Sequence, residues 1–339
     1  MKVLVTGAAG FIGSHVVDTL CSRGAEVIGL DSLDPGVHHQ VPSYLNAQAT
    51  YCFADLRTWQ PDDRFDDVTG VVHLAALGGV GRASREPVNV LEANGLGTAR
   101  LAQAARAWPK LRSIVLGSSF SIYGSSYAYR CGSCGTETDG TRQSTKLEKG
   151  IYEVLCPQCD GVAEIQPITE SACPAPLEIY GVSKYMQELC FRGFDHCPVR
   201  ILRFSSVYGK RLRLEDGEAT IIARLAGWIQ QGISPKLLED GRQIRDWVYV
   251  GDLVDAIAAM LVTDVAPPIV NVCSGIPTRL GEACEHIARA VGHPCRAEIV
   301  GGYRAGDMRH CLGDSSRLEH LIQRKPISLT EGARLAFGG

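Results

Sequence analysis

The sequence predicts an α/β protein organised on a doubly wound parallel sheet. Three observations predict it. A short apolar strand at the N-terminus opens into a glycine-rich loop and an apolar-periodic helix. A second strand then ends on an acidic residue. Beyond it, strands and helices alternate to about Lys184, as a sheet covered by helices on both faces requires.

Taken in order, Val3, Leu4 and Val5 form the unbroken apolar run of a strand buried on both faces. Gly7-Ala8-Ala9-Gly10-Phe11-Ile12-Gly13 follows, and Val16, Val17 and Leu20 mark the buried face of a helix that Gly24 closes. Ala25–Leu30 is the second strand, ending at Asp31. Glycines permit a tight turn and let the backbone approach a pyrophosphate at the positive helix end. Asp31 is placed to bind the adenosine ribose hydroxyls and to repel a 2′-phosphate. No Arg or Lys follows it closely, so NAD is expected over NADP.

Further on, Tyr180-Gly181-Val182-Ser183-Lys184 puts a phenol and an ammonium on one helical face. A neighbouring ammonium stabilises a phenolate and lowers its pKa, which makes Tyr180 a candidate general base for an alcohol. Ser118-Ser119-Phe120-Ser121 lies upstream. Val199–Phe204 reads as another buried strand. The C-terminal third mixes helices, Leu253–Leu261 and Leu280–Val291, with short strands such as Ile269–Val272.

With 339 residues and 45% hydrophobic content, the chain is long enough for one large domain and a smaller one. The expected division is 1–184 for the nucleotide-binding domain, interrupted by an insert at 127–166. Residues 185–339 then hold its remaining elements interleaved with a substrate lobe. A net charge of −3 gives no pull towards nucleic acid or acidic membranes. No apolar run spans a bilayer, and the N-terminus enters a strand directly, so a cytoplasmic protein is expected.

Thirteen cysteines include Cys131-Gly-Ser-Cys134 and Cys156-Pro-Gln-Cys159, two C-x-x-C pairs separated by 21 residues. Each short pair offers two thiolates on a tight knuckle, and two knuckles complete a tetrahedron, the pattern of a zinc ribbon. Two disulfides, a redox pair, or a ribbon without metal are the alternatives. Four cysteines leave no open coordination position, so zinc there is structural. Thr145–Leu155 is expected to form a short hairpin between the knuckles. Cys21, Cys190 and Cys284 fall in helical patterns and are read as buried apolar residues. His73 is read as a packed, hydrogen-bonded residue. Arg82, Arg85 and Arg309 are read as either phosphate contacts or ordinary surface cations.

These segments together resemble the extended short-chain dehydrogenase/reductase family, particularly its nucleotide-sugar epimerases and dehydratases, over almost the whole chain. The G-x-x-G-x-x-G spacing is that family's form of the Rossmann fingerprint. Asp55-Leu56, His73-Leu74-Ala75-Ala76, Asn94-x-x-Gly97-Thr98, Arg203–Gly209, Arg242–Asp252 and Arg304-Ala305-Gly306-Asp307 match further segments in order. The resemblance implies that Gly7, Gly10, Phe11, Ile12, Gly13, Asp31, Asp55, Leu56, Leu74, Ala75, Ala76, Tyr180 and Lys184 bind NAD. It implies Ser119, Tyr180 and Lys184 as the catalytic set. Ser119, Ser121, Ser206, Arg245, Arg304 and Asp307 would hold a nucleotide-diphosphate sugar, with the arginines on its nucleotide and diphosphate. Ser206 stands where the family usually has Asn. The expected assembly is a homodimer.

Within that family, sugar dehydratases carry an Asp-Glu pair just after the catalytic hydroxyl, and related decarboxylases a Glu. Here those positions are Phe120 and Ser121. The resemblance therefore implies epimerisation at C4 through a 4-keto sugar. The alternatives are a C3 or C5 epimerase, a 4-ketoreductase or a dehydratase; a non-catalytic NAD-binding sensor or scaffold is the reading of another class.

Overall fold

The computed structural model describes residues 1–213, 220–263, 267–304 and 307–338. The main sheet comprises β1 (Lys2–Thr6), β2 (Glu26–Asp31), β3 (Thr50–Phe53), β4 (Gly70–His73), β5 (Ser113–Ser119), the strand Val199–Phe204 and the strand Ile269–Val272. All seven are parallel, and β1 lies between β2 and β4. From β1 the chain winds outward through β2 and β3, then returns to build the other half from β4. The order reverses between β1 and β4, where Thr6 pairs with His73. A crevice opens at such a switch point, beyond the carboxyl ends of the strands.

Alternation along β1 explains the two cores. Val3 and Val5 face a cluster with Val16, Val17, Ile257 and Met260, from helices Phe11–Ser22 and Val250–Val262. Leu4 faces the other, with Leu101, Trp108, Leu116 and Phe191. A third cluster holds the C-terminal lobe, where helices Ile221–Gln230, Leu280–Val291 and Leu329–Phe337 pack together through Leu225, Ile287 and Phe337. Ile269–Val272, expected as a short strand of the C-terminal third, is an edge strand of the main sheet, paired with Val199–Phe204, and so one of the sheet elements interleaved with the lobe. Short apolar runs look alike in sequence; pairing decides which sheet they join.

The insert forms its own three-stranded antiparallel sheet, Glu137–Asp139, Ala128–Cys131 and Ala163–Ile165, with Ala128–Cys131 central. The expected hairpin over Thr145–Leu155 is absent; a one-turn helix, Ser144–Leu147, occupies its start. One ladder instead flanks the first knuckle, and the other joins the strand before it to the strand after the second. Tyr127, Tyr129, Val154 and Ile165 form one cluster with Phe120, Ile122 and Tyr123, so the insert is rooted in the segment that follows Ser119.

One buried ion pair fixes the helix that carries Tyr180. Arg203 Nε and Nη2 donate to the two Glu188 carboxylate oxygens at 3.1 and 2.9 Å, and Arg203 Nη1 donates to the Tyr123 hydroxyl. Their side chains are 4% and 6% exposed. Such a pair gains little over apolar packing but is costly to break. Arg203→Leu strands the Glu188 carboxylate and should cost about 3–5 kcal/mol of stability. Chemical denaturation measures it; a loss below about 1 kcal/mol would show that Glu188 finds another partner or protonates cheaply.

Candidate active site

A cleft of about 500 Å³ lies at the switch point, lined by the glycine loop, the ends of β2 and β4, and the helix Ile179–Cys190. Gly7, Gly10, Phe11, Ile12, Gly13, Asp31, Asp55, Leu56, Leu74, Ala75, Ala76, Tyr180 and Lys184, the whole set expected from sequence to bind NAD, line it together. The glycine loop fits a pyrophosphate because its backbone is packed too closely for side chains. A Cβ on Gly13 would lie 2.0 Å from the Gly7 carbonyl oxygen, and one on Gly7 would lie 2.9 Å from Ala75 N. Gly7 also has φ +70°, which favours glycine. Asp31 accepts from Ala9 N and Leu33 N at 2.9 Å each, which orients its carboxylate at the rim.

Ser119 ends β5, and Tyr180 is the second residue of its helix. The Glu178 carboxylate caps that helix by accepting from Tyr180 N and Gly181 N at 2.8 and 3.0 Å. Burial raises the Glu178 carboxyl, and the two N–H donors oppose it. Ser119 Oγ accepts from Ser121 N at 3.1 Å and donates to Ser121 Oγ at 3.2 Å. Phe120 is buried in the insert's core. Neither of the residues after Ser119 offers a proton-transfer group.

Burial pushes the Tyr180 phenol up to about 12, with the Glu178 charge adding and the Ser119 hydroxyl pulling back. Burial likewise takes the Lys184 ammonium down to about 7, against the Glu188 charge. The expected direct action of Lys184 on Tyr180 is not the arrangement found. Lys184 Nζ donates to the Gly117 carbonyl at 2.6 Å and to Gln187 Oε1. Unsatisfied protons of a buried ammonium are costly, so they go to the nearest acceptors. Both groups nevertheless line one cleft.

Gln187 extends the support inward. Its Nε2 donates to Thr98 Oγ1 at 2.8 Å and to the Ala75 carbonyl at 3.1 Å, and lies 3.2 Å from His73 Nε2. Burial, reinforced by Lys184, holds His73 down to about 3, so it stays neutral. Its Nδ1 meets Thr6 Oγ1 at 2.6 Å. His73 is thus the packed, hydrogen-bonded residue expected.

The expected substrate residues are not gathered on one wall. Asp307 lines a second cavity, described below. Arg245 donates to the carbonyls of Ile244, Arg309 and Met308. Ser206 sits in a two-stranded parallel ladder of three residue pairs, opposite Trp247, and Arg304 is exposed. Ala305 and Gly306, within the Arg304–Asp307 match, lie outside the described residues. Arg309 is neither a phosphate contact nor a surface cation. It is fully buried and bound to Glu153, Glu239 and Asp240, because a buried guanidinium needs carboxylates around it. Arg82 is paired with Asp34 and Glu86. Sequence reasoning missed Gln187, Glu178, Tyr44 and Phe204. Glu178 carried a signal, an acidic residue just before the tyrosine's helix; the others are recognisable only by proximity.

At the insert's tip, the sulfurs of Cys131, Cys134, Cys156 and Cys159 all lie within 4.8 Å of one another. The two knuckles are near copies. Gly135 N donates to the Cys131 carbonyl at 2.9 Å, and Asp160 N to that of Cys156 at 3.0 Å. Gly135 and Asp160 both have positive φ, 75° and 56°. All four are free thiols.

The profile of the NAD dependent epimerase/dehydratase family matches residues 3–273. The chain belongs to this family. A putative UDP-glucose 4-epimerase of Methanocaldococcus jannaschii is 30% identical, covering 98% of this chain and 96% of that protein. The dTDP-L-rhamnose 4-epimerase of Burkholderia thailandensis is 29% identical, covering 98% and 92%. Among solved structures, the UDP-N-acetylglucosamine 4-epimerase of Methanobrevibacter ruminantium, in complex with UDP-N-acetylmuramic acid, superposes with a TM-score of 0.79 at 25% identity, covering 99% of this chain and 96% of that one. The fold, the glycine cradle and the family agree on NAD as cofactor.

Because a Cβ at residue 13 must displace backbone, Gly13→Ala should purify with at least about tenfold less NAD, a change worth about 1.4 kcal/mol or more. Circular dichroism should show the fold retained, and the nucleotide released on denaturation should be NAD. Full occupancy by NAD in the variant would mean that the loop tolerates the methyl group, and release of NADP would contradict the Asp31 argument.

Proposed function

We propose that the protein is a nucleotide-sugar 4-epimerase, with Ser119, Tyr180 and Lys184 as its catalytic set. The observation that carries this reading is the site's acid–base inventory. Tyr180 and Lys184 line the cofactor cleft, Ser119 bonds to Ser121, and Phe120 and Ser121 supply no second acid or base. Elimination of water needs such a group; reversible oxidation of one alcohol does not. The relatives named above support position 4.

Bound NAD would supply the hydride acceptor and donor, held by the Gly7–Gly13 loop, Asp31, Asp55 and Lys184. Tyr180 takes the proton of the C4 hydroxyl as C4 is oxidised, and gives it back when C4 is reduced on its other face. Ser119 holds the C4 oxygen by a hydrogen bond. Burial favours the protonated phenol, so Tyr180 acts in its ionised fraction, and Lys184, held by the Gly117 carbonyl and Gln187, would bind the nicotinamide ribose. Arg245, Arg304, Ser206 and Asp307 are the proposed contacts to the diphosphate and sugar. The exposed Leu96, Val182 and Leu189, on adjoining helical segments, support a homodimer. Thirteen unpaired thiols suit a reducing compartment such as the cytoplasm, and no helix among the described residues is long and apolar enough to cross a membrane.

Product analysis tests the reaction. Incubation of the protein with nucleotide sugars in D₂O should give the 4-epimer with no deuterium at C5 and no released NADH. Tyr180→Phe should lose on the order of 10³-fold in turnover while keeping its NAD. Label at C5 would indicate a C5 epimerase, a 4-keto-6-deoxy product a dehydratase, and near-normal turnover in the variant would remove Tyr180 from the mechanism.

We further propose one structural zinc on Cys131, Cys134, Cys156 and Cys159. Three sulfur pairs stand 3.5 Å apart. A tetrahedron with zinc–sulfur bonds of about 2.3 Å has edges of about 3.8 Å, close to these spacings and far from a disulfide's roughly 2.05 Å. The tip of Gly161 would bring a Cβ within 3.3 Å of two of the sulfurs, so a small residue is required there. Elemental analysis should find one zinc per chain. Cys131→Ser/Cys134→Ser should lose it, keep NAD, and raise the substrate KM, because the insert is tied to the Asp307 segment by Arg142. Gently purified protein without zinc would refute the metal, and an unchanged KM the link.

A further inference from the structure

Besides the cofactor cleft, a second cavity of about 260 Å³ lies where the insert meets the body. One water accounts for about 30 Å³, so this is no solvent pinhole. One wall is Gly124, Ser125 and Leu177. Gly124 and Ser125 come five and six residues after Ser119, and Leu177 three before Tyr180. These two stretches are laced together: Ser125 N donates to the Ala175 carbonyl at 3.1 Å and Ala175 N to that of Ile122 at 2.8 Å. The opposite wall belongs to the insert, through Tyr129, Thr141 and Leu147. The third side is Asp307, Met308 and His310. The cavity therefore borders the two stretches of chain that lead away from Ser119 and towards Tyr180.

We propose that the insert builds a wall of the sugar pocket, and that this pocket selects neutral hexoses over hexuronates. The inference rests on the epimerase reading above and adds its substrate class. The charges around the cavity decide the selection. Asp139 and Asp307 bring two carboxylates to the lining. Asp139 accepts from Thr141 N, which orients it but does not neutralise it. Arg142, the lining cation, is spent: Nη1 donates to Glu239 at 2.8 Å and to the Tyr152 carbonyl, and Nη2 to the Asp307 carbonyl at 2.7 Å. Both ring nitrogens of His310 are engaged, Nδ1 with Ile244 N and Nε2 with Glu153. Arg245 donates to the Ile244, Met308 and Arg309 carbonyls and is not part of the cavity lining. The surplus is negative. A sugar carboxylate entering it meets like charge and no available fork of donors. A hydroxymethyl, methyl or acylamino group instead meets Leu147, Leu177 and Met308 as apolar surface, with the Ser125 and Thr141 hydroxyls as partners.

The insert's wall is held rigidly enough to discriminate. Arg309 joins Glu153 of the insert to Glu239 and Asp240 of the lobe, and Arg142 joins the same Glu239 from the insert's side. Five charged side chains thus meet at the seam in one largely buried network.

The test is calorimetric titration of the NAD-loaded full-length protein with UDP, UDP-glucose and UDP-glucuronate, with dTDP and dTDP-glucose run in parallel. The wild type should bind the neutral sugar nucleotide at least tenfold more tightly than UDP-glucuronate. Thr141→Trp, which fills the cavity, should weaken the neutral sugar nucleotide at least tenfold and leave the bare nucleoside diphosphate unchanged. Asp139→Lys should narrow the gap between glucose and glucuronate. Equal wild-type affinities for the two sugars, or a Thr141→Trp protein that binds UDP-glucose normally or loses UDP equally, overturns the inference. The two readings separate cleanly. The expected binding pattern without any epimer formed retires the epimerase reading alone, normal turnover with no effect of Thr141→Trp retires the subsite alone, and no binding of any of these nucleotides retires both.

Discussion

A buried polar chain runs from β1 to the helix of Tyr180 and Lys184, and the cofactor cleft depends on it. Thr6 accepts from Leu74 N and Ala75 N and meets His73; His73 meets Thr98 and Gln187; Gln187 accepts from Lys184. Every member is buried or nearly so. Inside a protein, an unpaired polar group forfeits its hydration with nothing in return, so such a chain holds only when it is complete. Completeness here ties the central strand, its neighbour β4 and the helix of Tyr180 into one unit. The glycine loop can then press its backbone against Ala75 without a side chain between them.

The insert is anchored by different physics at each end. At its root, tyrosines and aliphatic residues share a core with the segment after Ser119. Along its flank, Arg142 and Glu153 join a buried ion-pair network with Glu239, Asp240 and Arg309. At its tip, four sulfurs converge. Burial raises the Glu153 carboxyl, but hydrogen bonds from His310 and Arg309 outweigh it and hold the group down at about 2. Glu153 therefore stays charged throughout the ordinary pH range. Such networks favour one geometry more than they add stability.

The places where expectation and structure diverge share a cause. Lys184 was expected beside the Tyr180 phenol on the strength of a four-residue spacing, and the spacing does put both on one face of the cleft. The ammonium's direction is set by Gly117 and Gln187, which come from another strand and from the next turn. Arg309 has the composition of a phosphate ligand, yet three carboxylates from distant segments claim it. Ile269–Val272 has the look of any short strand, and only its pairing with Val199–Phe204 makes it the sheet's edge.

By itself the sequence determined what depends on residue type and short spacing. The strand, glycine loop, helix and Asp31 specify a dinucleotide cradle, since no residue but glycine fits the backbone approach at Gly7 and Gly13. Two C-x-x-C pairs specify paired knuckles, because each needs only its own few residues to turn. Tyr180 and Lys184 specify one helical face. Tertiary structure alone decided which cations are free and which are consumed, where the insert leans, and that its wall and the Ser125 segment enclose a cavity. Charge pairing and cavity shape depend on residues far apart in the chain, whose approach is settled by the packing of the whole molecule rather than by any local pattern.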